Sequence, residues 1–254
     1  MFAGCFAQIL YSTKCRLLFF CLLFTASGFA QSTSGITHIP DTSYTTWSAY
    51  ISTRKTHADI KIVPEFRLKS VAEKRNIPYR TIAERKLLTD AFYPAQRSHK
   101  KRTAIIFIHG GGWRSGNRTQ HYPLAQRLAG LGYVCFTPEY RLSTEALYPA
   151  AVHDLKGMLK WLYNNAKSFN IDKSKIIVAG FSAGGELAAI LGTTVGNAAF
   201  EDSFCNAIQT IPIRAVVDID GTLPFIHPES GEGADSKRTS AATYWFGYPK
   251  KDNM

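Results

Sequence analysis

Acidic residues are under-represented in this 254-residue chain: 19 Asp and Glu face 30 Lys and Arg, leaving a net charge of +11. Cysteine is scarce too, and three of its five copies (Cys5, Cys15, Cys21) fall within the first thirty residues. Only Cys135 and Cys205 remain beyond them, too few for a disulfide-stapled miniprotein. No Cys or His spacing of the zinc type occurs, so no metal is expected. The Gly-Lys-Ser/Thr end of a phosphate loop and the G-x-G-x-x-G of a dinucleotide loop are both missing, and no cofactor is expected. Repeats and low-complexity tracts are absent. The 45% apolar and 13% aromatic content excludes a disordered or collagen-like chain. What is present suffices to bury the core of one large domain or two small ones.

Residues 1–30 contain no acid and two bases, Lys14 and Arg16, followed by the apolar run Leu17–Phe24 and the small-residue ending Ala26-Ser27-Gly28-Phe29-Ala30. A basic flank, a short apolar stretch and a small-x-small close predict a secretory signal peptide cut after Ala30. The run is too short for a membrane span, which needs about 20 apolar residues, so none is expected once the signal is removed. The bulky Phe20 before Cys21 argues against lipidation there. The expected location is secreted or periplasmic. Cys135, within Tyr133-Val134-Cys135-Phe136, reads as a small buried hydrophobe, with a bridge to Cys205 left open.

The basic charge is local. Residues 54–102 alone carry a net +9, with 14 Lys and Arg against 5 Asp and Glu. A solvated surface is the simpler reading, and attraction to an acidic polysaccharide the functional one. No recognised nucleic-acid module accompanies the charge, so no nucleic-acid partner is expected.

The expected organisation is a signal peptide at 1–30, an N-terminal extension at 31–78 with a helical pattern over 65–76, and an α/β domain at 79–254. Strands are expected at Tyr79–Arg85, Lys86–Tyr93, Thr103–Ile108, Tyr133–Pro138, Lys175–Gly180 and Arg214–Asp220. A helix near 120–130 would present Leu124, Leu128 and Leu131 on one face and end at Gly130 and Gly132. The clearest helix, 149–167, has Pro149 near its start and Val152, Leu155, Leu159 and Leu162 at spacings of three and four. Another contains Glu186–Leu191. Strands alternating with helices predict a mostly parallel sheet covered on both faces.

Two motifs carry chemistry. Gly180-Phe181-Ser182-Ala183-Gly184-Gly185 is a G-x-S-x-G sequence between a buried strand and a helix. A serine at such a turn is strained, and its hydroxyl stands exposed at the carboxyl edge of the sheet, near a positive helix end. An ordinary glycine-rich turn with an inert serine would share the letters. His109-Gly110-Gly111-Gly112-Trp113 directly follows the strand Thr103–Ile108. Successive glycines let backbone N–H groups converge on one point, where they can bind the negative oxygen of an acyl-transfer intermediate.

With both motifs in this order, the stretch from Tyr79 to Gly221 resembles the α/β-hydrolase superfamily, in its HGGG-type esterase/lipase branch. Tyr140-Arg141-Leu142, Tyr148-Pro149-Ala150 and Asp154 fit the same pattern. HGGGW with GFSAGGELA is similar to secreted bacterial carbohydrate esterases acting on acetylated or feruloylated plant polysaccharides. The resemblance implies Ser182 as nucleophile, the N–H groups of Gly111, Gly112 and Ala183 as oxyanion hole, and a structural role for His109. It implies a small ester or an acylated polysaccharide as substrate.

The family's triad runs Ser, then Asp or Glu, then His. After Ser182 only Arg214–Asp220 reads as a strand, so the last strands, the acid and the histidine are expected to be missing and the chain to be a fragment. Tyr244–Pro249 reads as the interior of an element. Asp218 or Asp220 could serve as the acid; His227 is the only later histidine and nothing local positions it, while His121 and His153 read as surface residues. Arg214–Asp220 would then form an apolar sheet edge. The leading expectation is a serine carboxylic-ester hydrolase. Its rivals are a non-catalytic fragment or glycan-binding pseudoenzyme, and a serine peptidase, against which the HGGG sequence argues.

Overall fold

The computed structural model describes residues 31–201, 210–223, 235 and 238–249. The proposed signal peptide, Cys205 and His227 lie outside them. Everything below refers to the compact unit Ser32–Met254. Among the described residues no helix is long and apolar enough to cross a membrane.

Among the described residues six strands form one mixed sheet in the order β1-β2-β4-β3-β5-β6: β1 Val71–Ile82, β2 Arg85–Pro94, β3 Arg102–Ile108, β4 Val134–Pro138, β5 Ile171–Phe181 and β6 Ala215–Ile219. β1 and β2 are an antiparallel hairpin, with Ala83 at the turn in the left-handed region (φ 48°). β2 runs antiparallel to β4, while β4, β3, β5 and β6 are mutually parallel. β1 starts at Val71, so the helical pattern expected over 65–76 is not realised. Asn76 (φ 55°) stands where the register shifts, which breaks the alternation that would have marked an edge strand. Pro78 sits at the next shift, where a missing N–H costs no ladder bond.

The helices are α1 Thr46–Thr53, α2 Tyr122–Gly130, α3 Ala150–Asn165, α4 Ala183–Thr193 and α5 Ala241–Phe246, with a 3₁₀ turn at Arg118–His121. Alternate residues of β3 face opposite layers. Ile105 and Phe107 pack with Tyr122, Ala125 and Ala129 of α2, whereas Ala104, Ile106 and Ile108 join the larger core beneath α3 and α4. The expected double coverage of the sheet is thus met. In α3 the four anticipated apolar residues are buried, together with Met158.

The face of α2 differs from expectation. Leu124 is 38% and Leu131 76% exposed, while Ala125 and Ala129 are fully buried. Short side chains let the helix approach the sheet; of the three expected leucines Leu128 packs against this cluster, while Leu124 and Leu131 are turned outward. Among the described residues β6 is the outermost strand on this side, and Val216, Val217 and Ile219 are exposed there. Tyr244–Phe246 are not the interior of a longer element: they close α5, which ends at Gly247 in the left-handed conformation (φ 82°). Cys135 carries a free, buried thiol, its pKa pushed up by burial.

Asp154 fixes the segment between β4 and α3. Fully buried, it accepts two bonds of 2.9 Å from the Arg141 guanidinium and one from the Arg141 backbone N–H, with Arg80 3.6 Å away. A second polar cluster is centred on Arg118 of the 3₁₀ turn, which reaches buried Asp90 of β2 at 2.6 Å, Glu139 just after β4 and the Asn76 side-chain oxygen of β1.

Candidate active site

Ser182 follows β5 and precedes α4, at φ 53° and ψ −124°. A non-glycine residue in this region is strained, and such strain persists only where surrounding structure enforces it. Here the enforcement is visible: Ser182 N–H donates to Ile219 O of β6 at 2.9 Å, and Ser182 O accepts from the N–H groups of Gly185 (2.8 Å) and Glu186 (3.2 Å). A Cβ on Gly180 would fall 1.8 Å from Gly184 O, and one on Gly184 2.2 Å from Ile108 O, so strand and helix meet this closely only through glycine. Ser182 itself is exposed.

The glycine loop lies beside it. The Cβ position of Gly110 would be 3.3 Å from Ser182 Cβ. Gly111 (φ 124°) and Gly112 (φ 61°) adopt conformations that side chains resist, and a Cβ on Gly111 would be driven to 2.1 Å from Ser115 O. The loop is clamped by its carbonyls: Gly111 O accepts from the N–H groups of Arg114 (3.2 Å) and Ser115 (3.0 Å), and Trp113 O from Ser143 N–H (2.8 Å). No internal bond uses the N–H groups of Gly111, Gly112 or Ala183 among the described residues. They remain available as donors.

His109 is 2% exposed, stacks on Tyr140 at 4.4 Å and bonds Gly110 O through Nδ1 at 3.0 Å. Burial lowers its pKa to about 4, so it is neutral and acts as a brace for the loop. His121 is not a surface residue. It is 8% exposed, stacks on Phe181 at 4.4 Å, and has a pKa lowered to about 4 by burial and by the nearby His109. His153 is likewise half-buried, with Nε2 shielded from solvent and unbonded. Among the described residues no histidine bonds Ser182.

Asp218 lies in β6 opposite Gly180, and its Oδ1 accepts from Gly221 N–H at 3.0 Å. A Cβ on Gly185 would come within 2.0 Å of that oxygen, so Asp218 is pressed against the start of α4. Asp220 sits one residue past the strand end, exposed and at φ 59°. Neither acid is paired with a histidine among the described residues. No group of three or more His, Cys, Asp or Glu there could hold a metal ion.

Sequence reasoning passed over Glu186 and Trp113. Trp113, at φ 55° and 2% exposed, stacks on Trp245 of α5 at 4.8 Å and donates its indole N–H to Glu186 Oε2 at 3.1 Å. Glu186 is 4% exposed, and burial, helped by the nearby Asp218, raises its carboxyl to about 8 against the opposing bond from Trp113. An acid in the first turn of an otherwise apolar helix was the available signal. Beside the serine turn, a groove of about 680 Å³ is walled by Tyr50, Ile62, Val63, Phe66, Leu124 and Phe181.

Comparison with known proteins places the chain in a family. The family model described as BD-FAE matches residues 89–254. Esterase LipC of Mycobacterium tuberculosis is 33% identical over 135 residues, covering 53% of this chain and 33% of that protein. Carboxylesterase NlhH of the same species is 39% identical over 88 residues, 34% of this chain and 28% of that protein. The chain thus spans about a third of the length of the curated relatives it matches. Among solved structures, Thermogutta terrifontis esterase 2 phosphorylated by paraoxon aligns at 26% identity and a TM-score of 0.55, covering 64% of this chain and 62% of that one. Esterase B of Lactobacillus rhamnosis aligns at 25% identity and 0.54, covering 67% and 53%. By sequence, by sheet topology and by the turn that bears Ser182, the chain belongs to the BD-FAE family, within the esterase/lipase branch of the α/β-hydrolases.

Proposed function

We propose that the chain is a serine carboxylic-ester hydrolase working through an acyl-enzyme. The observation that carries this reading is the exposed, strained Ser182 beside a glycine loop whose Gly111 and Gly112 N–H groups find no internal partner among the described residues. Ser182 Oγ adds to the ester carbonyl carbon, and the carbonyl oxygen becomes an oxyanion held by the N–H groups of Gly111, Gly112 and Ala183. The bond to the alcohol then breaks, and the serine proton leaves with that alcohol by way of a base. Water adds to the acyl-enzyme, releases the carboxylic acid and restores the serine. No histidine among the described residues bonds Ser182, and His227, the later histidine of the sequence, lies outside them.

We take the substrate to be an acylated polysaccharide or a small ester, met outside the cytoplasm after export. The likeness of HGGGW and GFSAGGELA to carbohydrate esterases supports this, as does the exposure of Ser182. Phe181 walls the groove and is the neighbour of Ser182, which makes the groove a place for an apolar acyl or aryl part. A non-catalytic reading draws support from one observation, that no described histidine bonds Ser182. Turnover of p-nitrophenyl acetate decides between them. Hydrolysis by the purified chain that vanishes in Ser182→Ala supports the esterase, and no turnover from a folded chain supports the non-catalytic form.

A further inference from the structure

The basic charge of residues 54–102 is concentrated at its end: residues 91–102 hold Arg97, Lys100, Lys101 and Arg102 and no acid. The fold sets this stretch against the segment between α3 and β5, which carries Lys167. Between them lies a pocket of about 460 Å³, its walls including Tyr93, Arg97, Arg102, Lys167, Phe169 and Asn170. It sits at the amino ends of the parallel strands, for Arg102 begins β3 and Asn170 immediately precedes β5. Ser182 follows the other end of β5, and the seven residues of β3, at about 3.3 Å each, set the two places about 20 Å apart. No step of ester hydrolysis at Ser182 uses this pocket. We propose that it is a binding site for an acidic polysaccharide, pairing uronate carboxylates with Arg97 and Lys167 and packing a sugar ring against Tyr93 and Phe169. The inference goes beyond the esterase reading and does not rest on it.

The walls are held by the chain itself. Asn170, at φ 55°, donates its side-chain amide to Ser98 O (2.7 Å) and Lys100 O (3.1 Å), and its carbonyl accepts from Arg102 N–H at 2.8 Å. The Arg102 guanidinium donates to Gln96 O (3.0 Å) and Gly132 O (3.2 Å). All these acceptors are carbonyls, so the loop is fixed and its charge is left unopposed. Arg97 and Lys167 are exposed, and among the described residues no carboxylate pairs with them or with Lys100, Lys101 or Arg102. The two acids nearest in sequence are committed elsewhere. Asp90 is buried against Arg118, and Asp172 accepts from the Ser174 hydroxyl and lies 3.5 Å from Lys175 Nζ. Unopposed cations clustered at one pocket attract a polyanion, and a guanidinium suits a carboxylate in particular. The rings narrow the choice of polyanion. Tyr93 and Phe169 meet edge to face at 5.6 Å and are half-buried, so apolar surface lies beside the charges. The C–H face of a sugar ring can cover that surface while its carboxylate and hydroxyl groups reach the cations. The phosphates of a nucleic-acid duplex offer no such face.

Calorimetric titration of the full chain with polygalacturonate, in about 0.15 M salt to suppress loose ionic contacts, tests this. The fully methyl-esterified polymer keeps the sugars and removes the charge, and double-stranded DNA keeps the charge and removes the sugars. Each should bind at least about tenfold more weakly than polygalacturonate. Arg97→Glu with Lys167→Glu should weaken polygalacturonate binding at least about tenfold, and the milder Arg97→Gln with Lys167→Gln should act in the same direction. Lys55→Glu with Lys86→Glu, an equal change of net charge at exposed sites outside the pocket, should alter binding less than about twofold. Melting temperatures taken on the same samples identify any variant that has lost its fold. No binding by the folded wild-type chain would overturn the proposal. So would equal losses in the two glutamate pairs, or binding of the methyl ester or of DNA as tight as that of polygalacturonate. Ser182→Ala should bind like the wild type, so a chain that hydrolyses no ester ends the esterase reading and leaves this result standing.

Discussion

Gly111 shows how a single backbone angle can dictate a residue. At φ 124°, with Ser115 O occupying the space a side chain would need, it accepts no substitution without displacing the loop. If the proposed role holds, Gly111→Ala should lower esterase turnover by about 10²–10³-fold, as loss of an oxyanion donor does in acyl-transfer enzymes. It should also lower the melting temperature, so turnover and thermal unfolding are measured on the same sample; wild-type turnover in the variant would show that the loop is not part of the machinery. The same scale separates the histidines by role. His109 and His121 are held neutral by burial and brace the loop and Phe181, which leaves them unsuited to collect the serine proton.

Among the elements, α3 and α2 make a controlled pair. In α3, Leu159 is 2% exposed beneath the sheet, whereas Leu131, which caps α2, is 76% exposed. Leu159→Ala should cost about 2–5 kcal/mol in urea unfolding. Leu131→Ala should change stability by no more than about 0.5 kcal/mol. Equal costs would contradict the packing described. This contrast also marks what was legible in the sequence. The continuous β-branched runs of β3 and β5 and the three-and-four spacing in α3 are local signals, and each gave an element in its expected place. The face of α2 is only partly legible, because periodicity points to leucine: Leu128 packs inward as expected, but Ala125 and Ala129 are the fully buried contacts and Leu124 and Leu131 face outward. β1 was read partly as helix because Asn76 and Pro78 interrupt its alternation. Ser182 and the glycine loop were legible as motifs. Glu186 was not, because its burial comes from Trp113, Tyr140 and Asp218, which only the fold brings together.

For the molecule as a whole, buried titratable groups set opposing limits on stability. His109 and His121 have pKa values of about 4 against 6.5 in an open chain, so the unfolded state binds more protons between those limits. Their contribution is complete above pH 6.5 and is lost as the pH falls through about 4. Glu186 acts in the opposite direction: its raised pKa makes the folded state the better proton binder, and its contribution is lost as the pH rises from 4.5 through about 8. Stability measured by urea unfolding should therefore peak between these flanks. His121→Phe should flatten the acid side and Glu186→Gln the alkaline side. A profile unchanged by both variants would show that these groups are not buried in the ionisation states assigned here.

The central claim is that Ser182 is a nucleophile facing an oxyanion cradle. A neighbour in fold, Thermogutta terrifontis esterase 2, has been captured phosphorylated by paraoxon, and the same reagent probes this chain directly. Intact-mass spectrometry after paraoxon treatment, followed by peptide mapping, should find one diethylphosphoryl group per chain, on Ser182, and none in Ser182→Ala. A folded chain that takes up no label, or carries it on another residue, would contradict the account.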